Sequence, residues 1–220
     1  MEQVSTLIRL GKVELAADVS LADRALGLVL FAHGSGSSRR SPRNRHVADV
    51  LNRGSIGTVL ADLLTEDEEA FDIRTAALRF DIPLLGRRLV AITDWIGQQP
   101  DLTNLGLGYF GASTGAAAAL VAAAERPTSV QAVVSRGGRP DLAHTALTCV
   151  LAPTLFIVGA HDPVVLSLNY EAMSQLPSQT ERKLEVIPGA SHLFEEAGAL
   201  DRVAALARNW FRDHLRANLS

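Results

Sequence analysis

Ser113 occupies the middle of the pattern G-x-S-x-G in the segment Tyr109–Pro127, whose sequence is YFGASTGAAAALVAAAERP. An apolar run precedes this serine and an alanine-rich run follows it, which predicts a strand, a very tight turn and a helix. Such a turn strains its central residue and brings backbone close on both sides, so Gly111 and Gly115 must be nearly free of side chain. We therefore predict that Ser113 is a nucleophile presented at the carboxyl edge of a sheet.

A serine hydroxyl needs a base within hydrogen-bond reach, and a carboxylate must orient that base. Asp162 stands in GAHDPVV, at the end of the apolar segment PTLFIVG. His192 stands in PGASHLF, between the predicted last strand and the last helix. Because both positions follow strands, we predict Asp162 and His192 as the partners of Ser113. Three other side chains near strand ends or short helices remain competing assignments: His161, His144 and Asp141.

Acyl transfer also needs two backbone N–H donors for the oxyanion that forms on the substrate carbonyl. We predict one donor at Thr114, which follows the nucleophile and opens a helix whose dipole favours negative charge. The second is predicted in HGSGSS, at the end of the apolar run Ala25–His33. Gly34 and Gly36 let the backbone approach a substrate there, and we choose the N–H of Ser35 as the donor. An ordinary flexible turn is the competing interpretation of this segment.

Positive charge is concentrated at the predicted start of one helix, at the arginines Arg39, Arg40, Arg43 and Arg45. Charge of this sign opposes the helix dipole, so something anionic should compensate it. The acidic run Glu66–Glu69 is one candidate. The other is an anionic substrate group bound by Arg39 and Arg40 near the predicted oxyanion loop.

Segments with the character of strands and helices alternate along the chain, without an internal repeat or a long linker. The predicted strands are Val13–Ala17, Ala25–His33, Gly54–Asp62, Asn104–Phe110, Val130–Ser135, Pro153–Gly159 and Lys183–Ile187. The predicted helices are Pro42–Asn52, Pro83–Gln98, Ala116–Ala124, Asp141–Leu147, Val164–Gln175 and Ala199–Leu215. This alternation predicts an α/β protein with one doubly wound, mostly parallel sheet and helices on both faces. Ligands bind such sheets at the carboxyl ends of the strands, where the candidate residues stand.

The composition indicates one globular domain of 220 residues, with 47% hydrophobic and 20% charged residues. A net charge of −3 favours neither nucleic acid nor an anionic membrane as partner. The N-terminus lacks the cationic start and apolar core of a secretory signal, and no run reaches the length of a membrane span. We therefore expect a cytoplasmic protein, and the sequence leaves a homodimer open.

Cys149 is the single cysteine, which excludes an internal disulfide and a cysteine-based zinc cluster. Its context, TCVLAPT, predicts buried packing just before a strand. The pattern H-E-x-x-H and other spacings of metal ligands do not occur, so we predict neither a metal nor another cofactor.

Four motifs taken together resemble the α/β-hydrolase superfamily: HGSGS after an early strand, GASTG, GAHDPV and GASH. The similarity runs from about Ala25 to the end of the chain and is greatest to the small members without a cap, in the dienelactone hydrolase-like group. The order of Ser113, Asp162 and His192 is that of the serine enzymes of this superfamily. Dienelactone hydrolases proper carry cysteine at the nucleophile position, whereas this chain carries Ser113. The resemblance implies a single-domain α/β-hydrolase fold and a Ser-His-Asp ester hydrolase.

The segment HGSGSSRRSPRNR also resembles hydrolase domains that occur alone or fused to phosphoribosyltransferases. We expect one hydrolase domain over residues 1–220 and no such partner domain. The segment Leu63–Pro83 takes the place of the large lid of some relatives. We predict that it lines the acyl or alcohol pocket, with Phe71 and Phe80 as substrate-binding residues.

These observations predict a serine hydrolase that opens small carboxylic esters or lactones through an acyl-enzyme. Ser113 attacks, His192 moves the proton and Asp162 orients the histidine. Two alternatives use the same residues, namely thioester cleavage and acyl transfer to an acceptor other than water. A third alternative is a non-catalytic ligand-binding protein on the same scaffold.

Overall fold

The strands of the chain form a single mixed sheet. A computed structural model describes residues 2–22 and 24–217, so residues 1, 23 and 218–220 of the predicted domain lie outside the described part. The strands are β1 (Glu2–Leu10), β2 (Val13–Leu21), β3 (Leu28–Ala32), β4 (Gly57–Ala61), β5 (Leu107–Ala112), β6 (Val130–Arg136), β7 (Thr154–Gly159) and β8 (Arg182–Ile187). Their order across the sheet is β1-β2-β4-β3-β5-β6-β7-β8. β2 pairs antiparallel with β1 and β4, and all other neighbours are parallel.

Helices cover both faces of this sheet. They are α1 (Pro42–Arg53), α2 (Glu66–Thr75), α3 (Ile82–Ile96), α4 (Thr114–Glu125), α5 (Pro163–Gln175) and α6 (Ala199–His214), with a 3₁₀ segment at Pro140–Cys149. α1 and α6 pack together over one face, while α3, α4 and the 3₁₀ segment pack over the other. No helix within residues 2–22 and 24–217 has both the length and the apolar character needed to cross a membrane.

The predicted fold class is confirmed, because strands and helices alternate around a doubly wound, mostly parallel sheet. Every residue of β3, β4, β5 and β7 is buried, as expected of parallel strands covered on both faces. α6 shows the opposite pattern, with one apolar stripe facing the sheet and charged residues facing outward. The carboxyl ends of the parallel strands therefore meet at one edge, where the candidate residues lie.

Two elements differ from the sequence prediction. β1 was not predicted, and the segment Leu63–Pro83, in which no helix or strand was predicted before Pro83, contains α2. Thr65 begins this helix with a capping box: its hydroxyl accepts the N–H of Glu68 at 3.2 Å, and the Glu68 carboxylate accepts the N–H of Thr65 at 2.8 Å. α2 buries only Asp72, so it lacks the apolar stripe by which helices are recognised.

The predicted burial of Cys149 is wrong, because this residue is exposed. It ends the 3₁₀ segment, whose buried apolar side chains are Ala143 and Leu147. Packing therefore resumes at Val150, one residue later than the sequence context suggests.

The turn after β5 brings the start of α4 very close to the backbone at the end of β3. A Cβ atom on Gly115 would lie 2.2 Å from the carbonyl oxygen of Ala32, at the end of β3. A Cβ atom on Gly111 would lie 2.4 Å from Cα of Ala116. Both distances are far shorter than any normal contact, so the two glycines let α4 start directly against the sheet.

We predict that Gly115→Ala lowers the free energy of unfolding by about 3 kcal/mol or more, because the added methyl group meets rigid backbone. Gly97→Ala is the matched control: Gly97 ends α3 with φ −62°, and the nearest atom to its added Cβ would be 3.6 Å away. Urea denaturation of the three proteins provides the measurement. Equal stability of the two variants would contradict the close contact.

Candidate active site

Ser113 lies in a strained turn between β5 and α4. Its φ and ψ are 52° and −122°, a conformation that residues with a side chain rarely adopt. The N–H of Ser113 donates to the carbonyl of Arg136 at 3.2 Å, and its own carbonyl accepts the N–H groups of Ala116 and Arg139. Hydrogen bonds on both sides therefore hold the strained residue in place. The Ser113 side chain lies on the wall of a cavity of about 240 Å³.

His192 lines the same cavity and pairs with Asp162. Nδ1 of His192 lies 2.6 Å from Oδ2 of Asp162, and the side chains are 39% and 15% exposed. Asp162 directly precedes α5 after β7, and His192 lies in the loop after β8. A carboxylate at Nδ1 favours the tautomer with hydrogen on Nδ1, which leaves Nε2 free to accept a proton. The structure thus brings the predicted serine and the paired histidine and aspartate to one edge of the sheet.

The competing candidates lie elsewhere. His161 and His144 are exposed and are not part of the wall of the Ser113 cavity. Asp141 forms an ion pair with Arg139 at 2.7 Å. Within residues 2–22 and 24–217, no group of three or more histidine, cysteine or acidic side chains is arranged to hold a metal ion.

The two predicted oxyanion donors lie next to each other, but one is engaged. The N–H of Ser35 donates to Oγ1 of Thr114 at 3.0 Å. The loop after β3 and the start of α4 are therefore joined by a hydrogen bond between the two predicted donor residues. A substrate oxygen between them would share the Ser35 N–H with the threonine hydroxyl or displace it.

His33 sets the orientation of the peptide that carries the Ser35 N–H. Its Nε2 accepts the N–H of Leu63 at 3.0 Å, so the ring hydrogen stands on Nδ1, which donates to the Gly34 carbonyl at 3.1 Å. The carbonyl and the N–H of a trans peptide point in opposite directions. Holding the Gly34 carbonyl on the His33 side therefore directs the Ser35 N–H toward α4. Burial lowers the pKa of His33 below 6.5, which keeps the ring neutral for this arrangement.

The arginines before and within the first turns of α1 pair with carboxylates that were not predicted. Arg39 forms ion pairs with Asp62 and Asp18, and Arg45 pairs with Asp18 at 3.2 Å. Arg40 is exposed to solvent. The acidic run Glu66–Glu69, one of the two candidates, is not the partner of this cluster: among the described residues it forms no ion pair with these arginines, and Glu68 pairs with Arg88 at 2.7 Å.

Phe71 and Phe80 are 44% and 55% exposed, and neither belongs to the wall of the Ser113 cavity. The segment Leu63–Pro83 instead contributes Ile73 and Arg79, among others, to a second cavity beside the predicted oxyanion loop. Asp72 braces this segment. Burial would raise the pKa of Asp72, but the N–H groups of Leu78 and Arg79 and the Arg79 guanidinium donate to it and lower that pKa.

Sequence reasoning missed one polar side chain of the Ser113 cavity altogether. Arg136, at the end of β6, is only 7% exposed and contributes to the cavity wall together with Arg43. Its guanidinium lies 5.9 Å from the ring centre of Phe194. Burial, and then the charge of Arg43, lower the pKa of Arg136 to about 10, so the group is cationic at neutral pH. The signal available in the sequence was an arginine directly after the apolar run VQAVVS. In the sheet, this arginine pairs with Ala112, the residue before Ser113.

We predict that Ser113→Gly has a higher free energy of unfolding than Ser113→Ala, by about 1 kcal/mol. Both variants lack the hydroxyl, but only glycine adopts φ 52° without strain. The greater freedom of glycine in the unfolded chain reduces the difference without reversing it. Chemical denaturation under identical conditions measures the two values. A less stable glycine variant would show that this backbone is not strained.

We predict that His33 titrates with a midpoint below 6.5 in the folded protein. The unfolded chain takes up this proton as the pH falls through 6.5, whereas the folded chain does not. The contribution of His33 to stability is therefore complete above pH 6.5 and is lost progressively below it. NMR of ring-labelled histidine, assigned with His33→Gln, gives the midpoint and the Nδ1–H tautomer. A midpoint of 6.5 or higher would contradict the buried neutral ring.

Several known proteins are similar to this chain in sequence or in structure. The model of the dienelactone hydrolase family matches residues 47–215. Two relatives from Mycobacterium tuberculosis, strains CDC 1551 / Oshkosh and ATCC 25618 / H37Rv, are each 55% identical over 205 residues. Both carry the name "Putative phosphoribosyl transferase". The aligned region is 93% of this chain but 45% of each relative, so the chain spans less than half of their length.

Solved structures agree with the family match. A dienelactone hydrolase from Anabaena variabilis ATCC 29413 is 57% identical, with a TM-score of 0.95, over 98% of this chain and 99% of that one. Est1E from Butyrivibrio proteoclasticus with bound ferulic acid has a TM-score of 0.79 over 95% of this chain and 98% of its own. Its 16% identity shows likeness of fold alone. The family match over most of the chain and the 57% identity to a solved structure show that this chain belongs to the dienelactone hydrolase family.

Proposed function

We infer that this chain is a serine hydrolase that cleaves small carboxylic esters or lactones through an acyl-enzyme. One observation carries the proposal: the strained turn presents Ser113 to a cavity that His192 also lines, and Nδ1 of His192 lies 2.6 Å from Asp162. Strain at a single half-buried serine between a strand and a helix is typical of a nucleophile. A cavity of about 240 Å³ favours a small substrate.

In the first half of the reaction, Oγ of Ser113 forms a bond to the substrate carbonyl carbon while Nε2 of His192 takes the hydroxyl proton. The carbonyl π electrons move to the oxygen, which becomes the oxyanion. When the carbonyl re-forms, the bond to the alcohol breaks, and the alcohol leaves with the proton from His192. A water molecule then attacks the acyl-enzyme by the same route and releases the acid and free Ser113.

The surrounding groups stabilise the charges that appear during these steps. Asp162 holds the imidazole at Nδ1 and stabilises the imidazolium. The N–H of Thr114, at the N-terminus of α4, is the first proposed donor to the oxyanion, and the N–H of Ser35 is the second. A cytoplasmic location and a small-molecule ester as partner belong to the same proposal. Phosphoribosyl transfer, named for the longer relatives, is not part of it.

We expect Ser113→Ala and His192→Gln to lower kcat for p-nitrophenyl acetate by about 10⁴-fold or more, because each removes a group that acts on the reacting atoms. His161→Gln is the matched control, since His161 is an exposed histidine next to Asp162 but outside the cavity wall. It should retain activity within about twofold of the wild type. Comparable losses of kcat in His192→Gln and His161→Gln would contradict the assignment of His192 as the base.

A fluorophosphonate probe separates catalysis from simple ligand binding. We expect it to label wild-type protein stoichiometrically and to leave folded Ser113→Ala unlabelled, because the probe reacts only with an activated serine. Intact-protein mass spectrometry measures the adduct. Absence of labelling in folded wild-type protein, together with no ester hydrolysis, would favour a non-catalytic binding protein.

A further inference from the structure

The cavity beside Ser113 has a second, positively charged part that the proposed ester chemistry does not use. Arg136 and Arg43 contribute to its wall, together with hydroxyl groups of Ser35, Ser37 and Ser41. β6 pairs with β5 so that Arg136 stands opposite Ala112, the residue before the proposed nucleophile. The arginine side chain therefore enters the cavity from the strand adjacent to the nucleophile.

Arg136 is a buried cation without a counter-ion among the described residues. It is 7% exposed, its Nε has no hydrogen-bond partner, and no carboxylate of the described residues forms a salt bridge with its guanidinium. It lies near the Phe194 ring, and the positive charge of Arg43 repels it. Burying an unpaired charge is costly, so an anion that entered the cavity would be strongly stabilised.

Arg43 adds a second positive charge at the mouth of the same cavity. Arg43 forms an ion pair with Glu195 at 3.4 Å, and the Glu195 side chain is 64% exposed. An exposed pair of this kind contributes about 1 kcal/mol or less and is screened by salt. Nε of Arg43 is buried without a hydrogen-bond partner, as is Nε of Arg136.

The first turn of α1 also favours an anion in this cavity. Ser41 caps this helix of 12 residues and lies on the cavity wall, and the first turn contains no acidic residue. Oγ of Ser41 accepts the N–H of Asn44 at 3.4 Å, so its hydroxyl hydrogen is available to donate. The helix dipole adds a partial positive charge to those of the two arginines.

We propose that Arg136, Arg43 and the first turn of α1 bind a phosphate monoester group, so that the preferred substrates of the Ser113 site are small carboxylic esters that carry a phosphate. This inference rests on the proposed hydrolase function and names the substrate class. Arg39 and Arg40, considered from the sequence for an anionic substrate, are replaced in this role by Arg43 and Arg136. The reason is that Arg39 pairs with Asp62 and Arg40 is exposed.

Charge balance favours phosphate over carboxylate. Two guanidinium groups and a helix N-terminus supply more than two positive charges, of which only that of Arg43 is paired, weakly, with exposed Glu195; a phosphate monoester carries about −1.5 to −2 at pH 7. Its three terminal oxygens accept hydrogen bonds from both guanidinium groups and from the serine hydroxyls at once. A carboxylate supplies one negative charge and two oxygens, so part of the donor set would stay unpaired.

Three p-nitrophenyl propanoates that differ at C3 test the substrate class: one carries a phosphate, one a carboxylate and one a hydroxyl group. We expect kcat/KM of the wild type to be highest for the phosphate ester. Arg136→Gln should lower that value by about 10- to 100-fold, since hydrogen bonds to charged groups are lost, and lower the value for the hydroxyl ester by a clearly smaller factor. Arg43→Gln should act in the same direction, with a smaller loss. Arg53→Gln is the control, because Arg53 is exposed at the opposite end of α1.

Calorimetric titration of the Ser113→Ala protein with inorganic phosphate measures the subsite without catalysis. Phosphate binding that is abolished by Arg136→Gln and unchanged by Arg53→Gln supports the subsite. This result would stand even if no ester were cleaved, and in that case only the hydrolase proposal would fail. Equal kcat/KM for the three esters, or phosphate binding that ignores both Arg136 and Arg43, overturns the subsite while ester hydrolysis stands. A higher value for the carboxylate ester overturns phosphate as the group recognised. If Arg136→Gln does not fold, Arg43→Gln and Arg136→Lys decide the outcome by the same measurements.

Discussion

The close contact between the start of α4 and the end of β3 is the constraint on which the candidate site depends. Gly115 lies so near the Ala32 carbonyl that no side chain fits between them. Because α4 can start this close, the chain turns within one residue after β5, and Ser113 takes its positive φ. The same contact brings Thr114 to the loop after β3, where its hydroxyl accepts the Ser35 N–H. Ser113 and the predicted oxyanion loop are therefore positioned by one packing event.

Charge is distributed unevenly around this site. On the side of β2 and β4, Asp18 and Asp62 neutralise Arg39 and Arg45, so these side chains act as braces for the loop before α1. In the cavity itself, Arg136 has no carboxylate partner among residues 2–22 and 24–217. The protein thus pairs Arg39 and Arg45 with carboxylates and leaves a buried positive charge beside Ser113. Such an arrangement is costly for folding and is retained at sites where a ligand supplies the missing charge.

The sequence predicted the fold class and the residues at the sheet edge because their signals are local. A glycine two positions on either side of Ser113 and an apolar run before Asp162 are visible without any knowledge of packing. α2 was missed because it covers no apolar surface, and its sequence signals are confined to its start: the capping box formed by Thr65 and Glu68 and the acidic first turn. The exposure of Cys149 depends on where the 3₁₀ segment ends, which its flanking residues do not specify.

Ion pairs were predicted less well, since they join residues that are distant in the chain. Asp18 meets the arginines only because β2 pairs with β4, a register that the sequence does not specify. For the same reason the lack of a partner for Arg136 is a property of the folded molecule: its environment comes from β6, α1 and the loop after β8.

The hydrogen bond between Ser35 and Thr114 bears on how an oxyanion would be stabilised. His33 directs the Ser35 N–H toward α4, and in the absence of substrate the Thr114 hydroxyl satisfies this donor. A donor that is already oriented and partnered needs little reorganisation when the oxyanion forms, which is the condition for effective electrostatic stabilisation. A neutral hydroxyl is a weaker acceptor than an oxyanion, so the N–H gains more from the charged oxygen than it loses. In the proposed reaction, Thr114 would therefore keep the loop in position without competing strongly with the oxyanion for the Ser35 N–H.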